Sequence, residues 1–285
     1  MGEKYVASGA ASVSGIFKTI LFGILASFVL PIIYIILLRL LPNIWVNTIS
    51  AVLLGISLGY FIDLGIKIGK IRNLKIAIAI AIFCGLLACY NQWVLFDTIM
   101  YSAKGFTFKL SGADINILLR DFIYLFTHPG ILFEEIKKLN EYGTFRIKGS
   151  SNVSGALLWI VWIGEFLTIF GSIVFTVANG QAARPFSENN DAWMTRRKFT
   201  NRINYVDNKE AFLNEIDRRN YNLLKHNEAL LDHENFAEVV VYEYPGEPSK
   251  YINIVNAQNT IDKKGKITSK RKNIILQLQL LNADV

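Results

Sequence analysis

A four-helix membrane bundle followed by a small α+β domain is the fold class this sequence predicts, on three observations. Four apolar stretches, each close to the ~20 residues that cross a ~30 Å hydrocarbon core, fall within residues 1–180. The charges of that region are few, 14 Lys/Arg against 9 Asp/Glu, and cluster between the stretches. Residues 181–285 carry 16 and 14, the density of a soluble domain, and end in alternating Val-, Tyr- and Leu-rich runs. The formal charge of +7 therefore reflects loops beside membrane spans more than a polyanionic partner.

The N-terminus is too weakly basic for a removable signal peptide, and the apolar run behind it is longer than a signal core. Val6 stands where myristoylation needs Ser or Thr. The first span is expected over residues 19–38. Pro31 inside it should bend the helix without breaking it, because a neighbouring helix can satisfy the freed carbonyl. The second span, 45–66, opens on Trp45 as an interface anchor. The third, 74–96, ends near Tyr90 and Trp93, and the fourth, 156–177, opens with Trp159 and Trp162.

Orientation follows from the loops. Lys67, Lys70, Arg72 and Lys75 crowd the second connection with no acid among them, and Arg184, Arg196, Arg197, Lys198 and Arg202 follow the fourth span. Both termini are thus expected in the cytoplasm of an inner membrane, with residues 97–154 outside. Small residues at four-residue spacing, Ala51, Gly55 and Gly59 on the second helix and Ala81, Gly85 and Cys89 on the third, predict close helix packing. Cys84 and Cys89 are the only cysteines, so they build no disulfide framework or metal quartet.

Glu165 is the ionisable residue that most needs explaining. It stands about ten residues into the fourth span, where a charged carboxylate costs roughly 2.5–3.5 kcal/mol on insertion scales. It is expected to face protein or water, or to carry a proton. The functional reading is a proton or cation site. The structural one is an interhelical hydrogen bond to Asn47, Thr48, Ser50, Ser57 or Asn91. Glu165, Asn47 and Asn91 form the candidate intramembrane polar site. Asp63, four residues before Lys67, reads as an interfacial helical pair.

Outside the membrane, Asp114 is a plausible N-cap for an amphipathic helix carrying Ile115, Leu118, Leu119, Phe122 and Phe126. A second helix should follow Pro129, pair Glu134 with Lys138, and stop at Gly143. Both lie on the outer membrane surface or lid the bundle. The stretch 140–145, with Gly155 to Trp159, Trp162 and Glu165, resembles uncharacterised bacterial four-helix membrane proteins. In those a Pro-Phe-Cys-x-x-Cys-x-x-Trp knuckle follows the last span. The matching residues here are Pro185, Phe186, Ser187, Asn190 and Trp193. Both cysteines are replaced, so the resemblance brings no zinc or redox role with it.

Residues 181–205 read as a basic linker and 206–285 as a cytoplasmic domain. A capping box at 207–210 should open one helix, and a second helical piece carries Leu223, Leu224, Leu230 and Leu231. Three strands follow, 236–244, 251–257 and 273–281, with Leu276, Leu278 and Leu280 alternating against Gln277 and Gln279. His226 and His233, near Asp232 and Glu234, read as solvated groups at a helix exit. Lys263, Lys264, Lys266, Lys270, Arg271 and Lys272 are candidates for anionic lipid or another polyanion. No aromatic interleaving supports nucleic acid. No phosphate loop, nucleophile elbow or zinc-protease motif occurs, and no acid, base and nucleophile converge, so no enzyme and no cofactor is expected. The expected function is an inner-membrane anchor for a cytoplasmic sensing or interaction domain, with lipid and a protein or small anionic ligand as partners. The alternative is a homo-oligomeric channel, transporter or membrane-acting effector gated by that domain.

Overall fold

The computed structural model describes residues 3–41, 44–101, 111–146, 152–225, 227, 230, 234–262 and 266–281. They form two compact units, Gly9–Ala183, and Arg184–Val285 with Met1–Ser8.

The first unit contains α1 (Val13–Leu40), α2 (Ile44–Gly69), α3 (Leu74–Tyr101), α4 (Gly112–Thr127), α5 (Pro129–Tyr142), the two-residue strands β1 (Phe145–Arg146) and β2 (Asn152–Val153), and α6 (Gly155–Ala178). Helices α1, α2, α3 and α6 are long and apolar enough to cross a membrane. Each contains its expected span and runs further. Ser12 Oγ, for example, accepts from Gly15 N at 3.0 Å and starts α1 before the apolar run begins. Helix α1 packs on α2 and α3, and α6 packs on the same two, so the sequence neighbours α2 and α3 stand on a diagonal.

Small residues set these contacts. Helix α1 buries Gly15, Thr19, Gly23, Ser27 and Pro31 at every fourth position. A Cβ on Gly15 would lie 2.1 Å from the Gly69 carbonyl oxygen, and one on Gly65 2.7 Å from Thr19 Cα. On the adjoining face of α2, a Cβ on Gly55 would lie 2.4 Å from Ile169 O, and one on Gly59 2.7 Å from Thr176 Cβ. The stripe expected on α2 thus faces α6, with α2 and α6 parallel. The α1 stripe, which was not anticipated, meets α2 through Gly15 and Thr19 and meets Cys84 of α3 through Gly23 and Ser27. Gly15 meets Gly69, and Gln181 N donates to Asp63 Oδ1, so the chain enters α1 and leaves α6 at one end of the bundle.

The N-cap of α4 is Ser111 rather than Asp114. Ser111 Oγ accepts from Asp114 N at 3.2 Å while the Asp114 carboxylate accepts from Ser111 N at 3.0 Å, so Asp114 closes a capping box from the third helical position. Gly143, at φ +80°, stops α5 as expected. Its charge pairs are Glu134–Lys137 and Glu135–Lys138, both 2.8 Å. Each acid is taken by the lysine one turn on at i+3, not at i+4. Leu125 and Leu132 pack with Val94 of α3 among Tyr90, Trp93, Phe122, Phe126 and Ile136, and Tyr90 Oη donates to Phe126 O at 2.7 Å.

The second unit contains β3 (Phe186–Ser187), β4 (Ala192–Trp193), β5 (Thr195–Asn204), α7 (Lys209–Asp217), a 3-10 turn Tyr221–Leu224, β6 (Phe236–Glu243), β7 (Ser249–Ile261) and β8 (Ile267–Leu281). Strands β5 to β8 form an antiparallel meander in sequence order. Three expectations are corrected here. The basic linker is largely β5, the edge strand of the four-stranded sheet. Its Arg197 pairs with Glu243 of β6 at 3.0 Å. The cap of α7 is Asn208, which accepts from Glu210 N and Ala211 N, not Asp207. Leu278 and Leu280 are buried but Leu276 is exposed, because a bulge with Gln277 at φ +52° interrupts the alternation.

Ile203, Ile216, Leu224, Val239, Val241, Ile252, Ile254 and Leu278 make the core between the sheet and α7. The N-terminus belongs to this unit. Tyr5 N donates to Gln277 O at 2.9 Å, Gln279 N donates to Glu3 O at 2.8 Å, and the Tyr5 ring sits edge-on to Tyr251.

Candidate functional site

Side-chain hydrogen bonds link α1, α3 and α6. Ser27 Oγ donates to Gly23 O at 2.8 Å and to Cys84 O at 2.9 Å, linking α1 to α3. Four residues on, Pro31 has no N–H, so the Ser27 carbonyl loses its helical donor. Asn91 of α3 replaces that donor: its Nδ2 reaches Ser27 O at 3.0 Å and Phe28 O at 3.4 Å. Helix α1 runs unbroken through Pro31.

Glu165 lies one side of this region. Its Oε1 accepts from Tyr34 Oη and from Gln92 Nε2, both at 2.6 Å. Both donors are buried, Tyr34 at 3% exposure and Gln92 at 7%. One carboxyl oxygen thereby ties three helices, and hydrogen bonds are electrostatically stronger in such a low-dielectric setting than in water. Trp93 and Trp162 pack edge to face at 4.8 Å a turn above it.

The three sequence-predicted polar residues are therefore separated in role. Glu165 does bond between helices, but its partners are Tyr34 and Gln92, not Asn47 or Asn91. Asn91 serves the proline-opened carbonyl. Asn47, two turns before Gly55 on the α6-facing stripe, has a buried Oδ1 with no partner among the described residues, as do Asn91 Oδ1 and Thr98 Oγ1. Tyr34 and Gln92 were missed for different reasons. A tyrosine near a span's end reads as an interface anchor, and Gln92 stood unremarked beside Asn91. A four-residue step from Pro31 back to Ser27 was the one available signal for a required donor.

Asp63 accepts from the backbone of Gln181, at the turn where Gly180 leaves no room for a Cβ. In the second unit, Lys266, Lys270, Arg271 and Lys272 are exposed on or beside β8, and Arg271 reaches Glu238 at 3.1 Å. Lys263, Lys264, His226 and His233 lie outside the described residues. At the knuckle position, Ser187 Oγ accepts from Asn190 N at 3.1 Å and donates to Glu247 Oε1, which also accepts from Asn190 Nδ2 at 3.0 Å. Hydrogen bonds close this turn between β3 and β4. Among the described residues no group of His, Cys, Asp and Glu could hold a metal ion.

No family model matches this chain, and neither a curated protein nor a solved structure matches it.

Proposed function

We propose that this chain is a multi-pass inner-membrane protein whose four-helix bundle anchors the α+β unit as a cytoplasmic sensing or interaction domain, without enzymatic activity. The observation that carries the reading is the use of intramembrane polar groups as ties between helices: Tyr34 and Gln92 on Glu165, Asn91 on the carbonyl opened by Pro31. The basic loop of Lys67, Lys70, Arg72 and Lys75 lies at the end where α1 begins, which supports cytoplasmic termini. Exposed Lys266, Lys270 and Lys272 suit a protein partner or a small anionic ligand.

The unpartnered acceptors Asn47 Oδ1, Asn91 Oδ1 and Thr98 Oγ1 favour the second reading, an oligomeric channel or transporter, since water or a cation would satisfy them. Flux of protons and potassium through purified protein in vesicles separates the two. The anchor reading expects none. Flux in wild type that disappears in Glu165→Gln overturns it in favour of conduction.

A further inference from the structure

Helix α4 has three longitudinal rows of different character. Phe122 and Leu125 turn toward α3 and α5, with Leu125 buried against Val94 and Leu132, and Leu118 in the same row is half-buried. Asn116, Arg120 and Thr127 are exposed and polar. Between these rows run Ile115, Leu119 and Ile123, each four residues from the next, and they are 52%, 54% and 52% exposed. Half of the helix's apolar arc is thus covered by the bundle and half by nothing among the described residues.

The level of α4 identifies what covers the rest. It packs on Tyr90, Trp93 and Val94. Val94 lies roughly 30 Å along α3 from Leu74, the thickness of a hydrocarbon core. Tyrosine and tryptophan at that height are the residues of a membrane–water boundary. The uncovered row contains only large branched side chains. Helix pairing in lipid favours small residues instead, as the bundle's own contacts show. A helix with one flank on protein, one polar flank and an apolar row between them has the form of an in-plane interfacial helix.

We infer that α4 lies in the outer leaflet boundary with Ile115, Leu119 and Ile123 inserted among lipid acyl chains, so this helix is itself a lipid-binding surface. This rests on the bundle crossing a bilayer, and the test separates the two. Cys84 and Cys89 are buried, so a thiol-reactive fluorophore will label introduced cysteines selectively. Leu119→Cys, Asn116→Cys and Leu167→Cys, the last on the exposed side of α6, are labelled and reconstituted into phosphatidylcholine vesicles. Quenchers are a phospholipid carrying a nitroxide high on its chain and iodide in the buffer.

The label at 119 should be quenched by the nitroxide lipid several-fold more than the label at 116, which iodide should reach. If iodide reaches 119 as readily as 116 while 167 remains quenched by lipid, α4 is a solvent-facing lid and the inference falls alone. Protection of 119 from both quenchers means that another protein surface covers the row, which also overturns it. Quenching of 167 by iodide alone removes the membrane bundle and this inference together.

Discussion

The bundle and the sheet unit differ in how closely their elements approach one another. In the sheet unit large β-branched side chains fill the space between β6, β7 and α7, with Val239, Val241, Ile252 and Ile254 all at or near zero exposure. There the driving force is removal of apolar surface from water. In the bundle the closest contacts are made by residues that are nearly absent: Gly15 on Gly69, Gly55 on Ile169, Gly65 on Thr19. The bundle also buries large side chains, Leu58, Ile62, Ile66 and Ile169 among them at zero exposure, so what sets it apart is how closely its helix backbones approach. Truncating a large side chain therefore probes the sheet unit, and adding a methyl group probes the bundle.

The comparison breaks most visibly in the sheet unit. Ile254→Ala removes a fully buried side chain and should cost about 2–5 kcal/mol, unfolding that unit first. Denaturant melts in detergent, followed by tryptic resistance of each unit, would check it. Equal loss from both units would deny their separate cores.

Adding a methyl group sharpens the contrast inside the bundle. Gly55→Ala drives a Cβ to 2.4 Å from the Ile169 carbonyl oxygen and should destabilise by about 1–3 kcal/mol. Gly171→Ala, with nothing within 4 Å of the new Cβ, should be neutral or stabilise by up to about 1 kcal/mol through helix propensity. Similar melts for the two variants would mean that the α2–α6 contact is not close.

The smallest of these effects is the most diagnostic. Asn91→Ala strands the Ser27 carbonyl and should cost about 1–2 kcal/mol. Pro31→Ala in the same chain restores a backbone donor at residue 31 and should recover part of that loss. A double-mutant cycle reads the coupling directly. Strict additivity would show that Asn91 does not serve the proline gap.

Much of this was legible in the residues, and what was not has identifiable causes. The four long helices followed from the length of the apolar runs alone, and a neighbouring donor for Pro31 followed from the covalent chemistry of proline. The identity of that donor did not, because α1 and α3 are joined only by tertiary packing. The edge strand β5 was read as a linker since its four basic residues, with Arg184 before it, look like topology signals. In the sheet Arg197 instead pairs with Glu243 of the next strand. Leu276 was placed inside because alternation assumes an unbroken register, and one residue at positive φ shifts it.

The sequence by itself determined which segments can live in lipid and which end of the bundle carries positive charge, since both depend only on side-chain chemistry summed along the chain. Only the tertiary structure decided that Glu165 meets Tyr34 and Gln92, and that residues 3–5 join β8. These contacts arise between segments far apart in sequence, where partner choice depends on the helix order around the bundle and the strand register across the sheet. No local pattern encodes either.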